Sequence, residues 1–279
     1  MSMNSFHARQ GGRPNLAKAD EKSAKKPVDR GGLQRADALL VQRKLATSRT
    51  QAQKLIAAGR VLLDGAPLAK PSIELPPDAA LTVVDDDNDR YVSRGAFKLL
   101  GALTETGLAV TGKTCLDVGQ STGGFTDCLL QSGAQRVVGV DVGHGQLHGR
   151  LKNDARVTAL EGINCRALSA ADLGDAMPDY GFDLIVGDVS FISMTLILPQ
   201  LPALLANNGD LLLLIKPQFE VGPGNIGKGG IVRDPALYRS VEAKFRENAQ
   251  NLGLTVKAWL DSPITGGDGN REFFIWLNK

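Results

Sequence analysis

Beyond residue 90, apolar runs alternate with amphipathic stretches, and that alternation predicts strands and helices in turn. Strands are predicted at Thr114 to Val118, Val137 to Asp141, Val157 to Leu160, Leu184 to Asp188 and Leu211 to Ile215, with helices near Gly95 to Thr106 and from about Thr126, Ser193 and Pro235. The run LLLLI at 211–215 has no polar side, so its strand must be covered on both faces, as in a parallel sheet. Two more strands, Thr255 to Leu260 and Glu272 to Leu277, flank a Gly-rich loop near the end. The pattern is α/β.

The front of the chain is built differently. From Leu33, the residues Ala36, Leu39, Leu40, Lys44 and Leu45 recur at helical spacing, with Arg35 and Arg43 on the polar side. Thr47 and Ser48 offer caps for a second helix, Arg49 to Ala58, and Gly59 is placed to end it. Val61 to Leu63 and Ala66 to Leu68 flank Asp64-Gly65, a pair suited to positive φ, and so predict a tight hairpin; Leu81 to Val84 adds a strand. Residues 1 to about 33 lack apolar periodicity and read as a disordered basic tail, while Asp85 to Asp89 is an acidic linker sequence. The expected division is a tail at 1–32, a small α+β domain at 33–84, a linker at 85–92 and a large α/β domain at 93–279.

Charge sharpens this division. Residues 1–84 hold 14 Lys and Arg against 7 Asp and Glu, while residues 85–279 hold 18 against 23, so a net charge of +2 conceals a basic front on an acidic body. Such a front suits a polyanion, because Lys and Arg contacts to phosphate supply most sequence-independent nucleic-acid affinity; a solvated basic surface is the plain alternative. Cys115, Cys128 and Cys165 have neither disulfide-framework numbers nor metal-ligand spacing. His7, His144 and His148 do not cluster as ligands, and no metal is expected. No run of about 18 apolar residues and no secretory start is present, so a cytoplasmic protein without membrane attachment is expected.

The stretch Asp117-Val118-Gly119-Gln120-Ser121-Thr122-Gly123-Gly124-Phe125-Thr126 follows a predicted strand and opens a predicted helix. Its glycines permit close backbone approach to a ligand, and its spacing is not the GxGxxG of a dinucleotide site. Asp141 ends the next strand about twenty residues on, where a carboxylate can accept hydrogen bonds from a ribose diol.

These residues lie within a series of motifs, SRGAFKL, DVGQSTGGFTD, VVGVDVGHGQLH, GDVSFIS, LIKPQFEVG, GKGGIVRDP and NREFFIW, that resembles the TlyA (haemolysin A) family of RNA 2′-O-methyltransferases, whose catalytic domain is similar to FtsJ-like enzymes. The segment from Arg35 to Leu68 resembles the S-four-type (alpha-L) RNA-binding domain. The resemblance covers about residues 33 to 279. It implies a Rossmann-like class I methyltransferase with a mostly parallel seven-stranded sheet, S-adenosylmethionine as cofactor, and ribosomal RNA or ribosomal subunits as partner. It implies a catalytic set of Lys98, Asp188, Lys216 and Glu272; the last three stand beside apolar sheet segments, where unpaired charges are rare, while Lys98 lies on a predicted helix, where a lone lysine usually faces solvent. Lys216 would take or relay the proton of the ribose hydroxyl, with the other three setting its charge state and aligning the hydroxyl.

The resemblance also suggests that Gly119, Ser121, Thr122, Gly123, Gly124 and Phe125 surround the methionine end and sugar of the cofactor, with Asp141 on the ribose, Asn164 on the adenine side and Asp117 toward the amine. Capping is the structural alternative for Asp117, Asp141, Ser121 and Thr122. The family's usual short hydrophobic residue after the first motif glycine is here the polar Gln120. In the front domain, Arg35, Arg43, Arg49, Lys54 and Arg60 are expected to face RNA phosphates. Analogy points to a cytidine of large-subunit RNA, with small-subunit RNA as a second target. The competing readings are a non-enzymatic ribosome-assembly factor, a haemolysin and a nicotinamide oxidoreductase.

Overall fold

The computed structural model describes residues 32–84 and 90–279; the expected tail up to residue 31 and the acidic run 85–89 lie outside the described residues. The chain divides into two compact units between Asp85 and Asp86.

The first unit runs β1 (Gln34–Arg35), α1 (Ala36–Gln42), α2 (Arg49–Ala57), β2 (Val61–Leu63), β3 (Ala66–Pro67), β4 (Glu74–Leu75) and β5 (Leu81–Val83). Ser48 caps α2 by accepting a hydrogen bond from the Gln51 amide at 3.2 Å. Asp64 and Gly65 turn the hairpin with φ of 50° and 81°, as a primed turn requires. β2 lies between β3 and β5, both antiparallel to it, while β1 pairs with β4 in a two-residue ladder too short to announce itself as alternation. Ala36, Leu39, Leu40, Ala52, Leu55, Ile56 and Val61 form the core. Asp37 is buried beside it, and its carboxylate accepts from Arg35 (3.0 and 2.9 Å), Arg49 (3.1 Å) and Gln53 (2.9 Å). Arg35 holds that carboxyl well below the usual carboxylate range, so the buried charge is paired rather than bare.

The second unit runs α3 (Gly95–Thr106), β6 (Thr114–Val118), α4 (Gly124–Gln131), β7 (Arg136–Asp141), α5 (Gly149–Lys152), β8 (Val157–Glu161), α6 (Ala170–Leu173), β9 (Phe182–Gly187), β10 (Leu205–Ile215), α7 (Pro235–Asn251), β11 (Thr255–Asp261) and β12 (Phe273–Asn278). One seven-stranded sheet has the order β11-β12-β10-β9-β6-β7-β8; β8 through β10 are parallel, and β12 is antiparallel to both neighbours. From β6 the chain proceeds outward through β7 and β8, then returns to place β9 on its other side. That reversal opens a crevice beyond the carboxyl ends of β6 and β9, the place where doubly wound sheets bind ligands.

The LLLLI run is covered on both faces, as its composition requires. Leu212 and Leu214 pack with Leu99, Phe125 and Leu129 from α3 and α4, whereas Leu211, Leu213 and Ile215 pack with Ile197, Leu201, Val241 and Phe245. Each successive side chain thus enters the opposite layer.

Three expectations need correction. The helix expected from Ser193 is a pair of 3-10 turns, Met194–Leu196 and Leu198–Ala203, because Pro199 and Pro202 lack the amide donors an α-helix uses. β10 begins six residues early, at Leu205, with a register shift before Asp210 that masks its start in the sequence. Asp188 and Glu272, expected inside strands, instead stand one residue after β9 and one residue before β12.

Candidate active site

β6 ends at Val118 and passes into Gly119, whose φ is 86°. A Cβ there would lie 2.7 Å from the Asp188 carbonyl oxygen, so only glycine lets the loops after β6 and β9 come this close. Asp141, at the end of β7, ties in a third loop: its carboxylate accepts from the amides of Ser121 at 2.8 Å and Gly143 at 2.7 Å. Ser121 donates from its hydroxyl to Gln146 at 3.0 Å. The capping expected of Asp141 as the structural alternative is therefore real, while its side chain still faces the crevice.

Two cavities adjoin here. One of about 500 Å3 is walled by Gly119, Ser121, Asp141, Asn164, Asp188, Ser190 and Phe191, and the other, of about 350 Å3, by Lys98, Gly119, Ser121, Thr122, Gly124, Phe125, Asp188, Ser190 and Lys216. Gly119, Ser121, Asp188 and Ser190 are common to both. Gly123 lines neither: with φ of 93° it leaves room for Leu147 and Leu151, which an added Cβ would meet at 2.8 and 2.3 Å.

Beneath the glycine loop runs a chain of hydrogen bonds. Gln120 donates from Nε2 to Thr126 Oγ1 at 2.9 Å, and Thr126 donates to Asp117 Oδ2 at 2.7 Å. Gly139 accommodates Gln120, since a Cβ on it would lie 2.0 Å from the Gln120 amide. The polar residue that departs from the family pattern is thus buried and bonded. Asp117 is fully buried; burial pushes its carboxyl up to about 7, with Thr126 opposing and Asp188 adding to the rise. Its Oδ1 has no hydrogen-bond partner.

The four charged residues singled out in the sequence come together as two ion pairs. Lys216, just after β10, places Nζ 2.6 Å from Asp188 Oδ1 and donates to Ser190 Oγ at 2.8 Å. Lys98, on α3, places Nζ 2.6 Å from Glu272 Oε2. Both lysine side chains are about nine-tenths buried, and Glu272 is only 2% exposed. Burial pushes the Glu272 carboxyl up while Lys98 and Lys216 pull it down, so both lysines act on one carboxylate.

In the first unit, most of the arginines expected to face RNA have partners at home. Arg35 and Arg49 bind Asp37 with side chains 43% and 57% exposed. Arg43 donates to the Ala79 carbonyl at 2.5 Å and to the Pro77 carbonyl, and Arg60 donates to the Val84 carbonyl at 2.8 Å. Lys54 is exposed near the end of α2.

Two residues of the crevice escape a reading of the sequence. Ser190 holds the Lys216 amine, and Phe191 is 92% exposed with φ of 65°, its ring 5.5 Å from that of Phe219. Their signal was their place in GDVSFIS, two and three residues after Asp188.

A mostly parallel seven-stranded sheet with a glycine-lined crevice at its switch point defines a Rossmann-like methyltransferase domain. Residues 91–279 match the FtsJ-like methyltransferase family, and residues 34–80 match the S4 domain. The chain belongs to the FtsJ-like methyltransferases and, with its S4 domain, to the TlyA group within them. It is 49% identical over 244 residues to the Mycobacterium tuberculosis 16S/23S rRNA (cytidine-2′-O)-methyltransferase TlyA, covering 87% of this chain and 89% of the relative. It is 34% identical to the Campylobacter jejuni 23S rRNA (cytidine-2′-O)-methyltransferase TlyA, covering 86% and 97%. A solved Streptococcus thermophilus structure that carries a hemolysin name matches with a TM-score of 0.67 at 38% identity, covering 89% of each chain. The protein is an S-adenosylmethionine-dependent enzyme that acts on RNA. Among the described residues, no helix is long and apolar enough to cross a membrane.

The crevice suits that cofactor. Asp141 on the wall can accept from a diol, whereas Asp117, expected toward the amine, is fully buried and lines neither cavity, with its Oδ1 unpartnered.

Proposed function

We propose that the protein methylates the ribose 2′-hydroxyl of a cytidine in large-subunit ribosomal RNA, with Lys98, Asp188, Lys216 and Glu272 as its catalytic set. Ribosomal RNA, free or in subunits, is then its partner, and the cytoplasm its place of action. The observation that carries this reading is the meeting of two buried Lys–carboxylate pairs beside the crevice, each at 2.6 Å.

Bound S-adenosylmethionine supplies an activated methyl group on a sulfonium. Asp117, buried outside both cavities, acts on the cofactor's positive end through its charge rather than by contact, Asp141 accepts from the sugar, Asn164 lines the adenine side, and Gly119, Ser121, Thr122, Gly124 and Phe125 shape the walls. Gly123 contributes by letting the turn pack on Leu147 and Leu151.

A ribose hydroxyl attacks poorly unless it loses its proton as the O–C bond to the methyl group forms and the methyl–sulfur bond breaks, its electron pair remaining on sulfur as a neutral thioether. That proton passes to Lys216 Nζ in its amine form, and Asp188 Oδ1 at 2.6 Å stabilises the ammonium produced. Lys98, fixed by Glu272, presents a second donor to the hydroxyl oxygen and limits its freedom. Phe191, exposed on the crevice wall, offers a ring face to a base turned out of its stack. In the S4 domain Arg35, Arg49 and Lys54 remain exposed enough to meet phosphates, with Arg43 and Arg60 contributing field while braced on backbone carbonyls.

The test is methyl transfer from labelled S-adenosylmethionine to isolated large and small ribosomal subunits, followed by mass spectrometry of the modified nucleotide. A 2′-O-methylcytidine in the large subunit, with a loss of at least about 100-fold in Lys216→Ala, is expected. Label on a base, label confined to the small subunit, or an undiminished Lys216→Ala would overturn the assignment.

A further inference from the structure

Resting on the proposed role of Lys216, we infer that Ser190 is a positioning residue that aims the Lys216 amine at the target hydroxyl. A lysine nitrogen on a flexible four-carbon stem can swing widely, and a single carboxylate leaves it free to rotate about that contact. Here the two contacts differ in kind: Asp188 Oδ1 is an ion-pair partner at 2.6 Å without hydrogen-bond geometry, whereas Ser190 Oγ at 2.8 Å accepts a directed hydrogen bond. An ion pair holds the nitrogen near the carboxylate but sets no N–H direction, so the bond to Ser190 is the contact that orients the amine and thereby the direction along which a proton is exchanged.

Ser190 stands where such a constraint is useful, since it lines both the cavity bounded by Asp141 and Asn164 and the one bounded by Lys98 and Lys216. Its own position is also fixed. Glu220, buried four residues beyond Lys216, accepts from Ser193 Oγ at 2.5 Å and from the Met194 amide at 2.8 Å. The loop carrying Asp188 and Ser190 is thereby latched to the segment carrying Lys216. Phe191 completes the turn with a φ of 65°, a left-handed conformation that a bulky side chain adopts only when its surroundings hold it. Ser190 is exposed, so loss of its hydroxyl removes no packing from the core.

The experiment is single-turnover methyl transfer to ribosomal subunits by the full chain, comparing wild type, Ser190→Ala, Ser190→Thr and Lys216→Ala, with cofactor and RNA affinities measured for each. Ser190→Ala should slow the methyl-transfer step about 10-fold while the Kd for S-adenosylmethionine and the KM for RNA stay within about twofold. Ser190→Thr, which restores a hydroxyl, should recover most of the rate. The inference is overturned if Ser190→Ala matches wild type, if Ser190→Thr is as slow as Ser190→Ala, or if the loss of rate is matched by loss of affinity. Failure of the underlying assignment reads differently, as a Lys216→Ala variant that transfers methyl at the wild-type rate.

Discussion

Lys98 Nζ and Glu272 Oε2 lie 2.6 Å apart, joining α3 to the first residue ahead of the antiparallel strand β12. A carboxylate this deeply buried stays charged only with an opposite charge at hand. Lys98→Ala should therefore destabilise the domain by about 3 kcal/mol, because it strands Glu272 rather than merely deleting an attraction. Lys98→Ala with Glu272→Gln should recover much of that loss in urea denaturation. The sign of the pH effect follows from burial, which raises the Glu272 carboxyl. A group raised in the folded state adds stability at low pH and loses it as pH rises through the folded value, so the deficit of Lys98→Ala should shrink as pH falls toward the ordinary carboxylate range. A deficit independent of pH would mean that Glu272 does not feel the missing charge.

Asp117 offers a second titration. Its carboxyl is pushed up to about 7 by complete burial, so the proton is held in the folded state well above the pH at which the unfolded chain releases it. Its contribution to stability is thus present at acid pH and lost as pH rises through about 7. A cationic ligand calls for the opposite state, the ionised carboxylate. The Kd for S-adenosylmethionine should accordingly rise by up to about tenfold for each pH unit below about 7, and Asp117→Asn should bind weakly with a flat profile. Calorimetry across that range checks both statements.

Most of the scaffold was legible before any coordinates, because α3, β6, β7 and β8 combine strong periodicity with turn residues at both ends. What stayed hidden depended on partners far along the chain. Nothing near Lys98 in sequence names Glu272, 174 positions away, and nothing near Asp188 names Lys216 as its counter-ion. The motif residues were visible as a set, but their division into two pairs is a property of the sheet order, which brings β9, β10 and β12 side by side. Proline and a register shift concealed the 3-10 turns after Ser193 and the start of β10 for the opposite reason, since local chemistry there interrupts the periodicity on which such a reading relies.

Gln120 and Gly139 form a matched pair. A Cβ at position 139 would intrude to 2.0 Å on the Gln120 amide, in a place where both neighbouring strands prevent the backbone from yielding. Gly139→Ala should cost about 2 kcal/mol through overpacking, and it should also disturb cofactor binding by breaking the Gln120–Thr126–Asp117 chain. Gln120→Ala in the same protein should restore the stability but not the affinity. Restoration of neither would show that the clash is met elsewhere.

The S4 domain separates structural arginines from binding cations. Arg43 donates to the Ala79 and Pro77 carbonyls, which orders the segment before β5, so Arg43→Ala should chiefly lower the stability of the domain. Arg49 bonds to buried Asp37, and reversing its charge would set two carboxylates together, confusing a binding experiment with a folding one. Lys54 is exposed and free of that complication. Lys54→Glu should weaken binding to ribosomal RNA, and Lys54→Ala should reduce the slope of log K against log salt by about 1, the signature of one lost phosphate contact. Filter binding at several salt concentrations decides it, and an unchanged slope with unchanged affinity would remove Lys54 from the RNA surface.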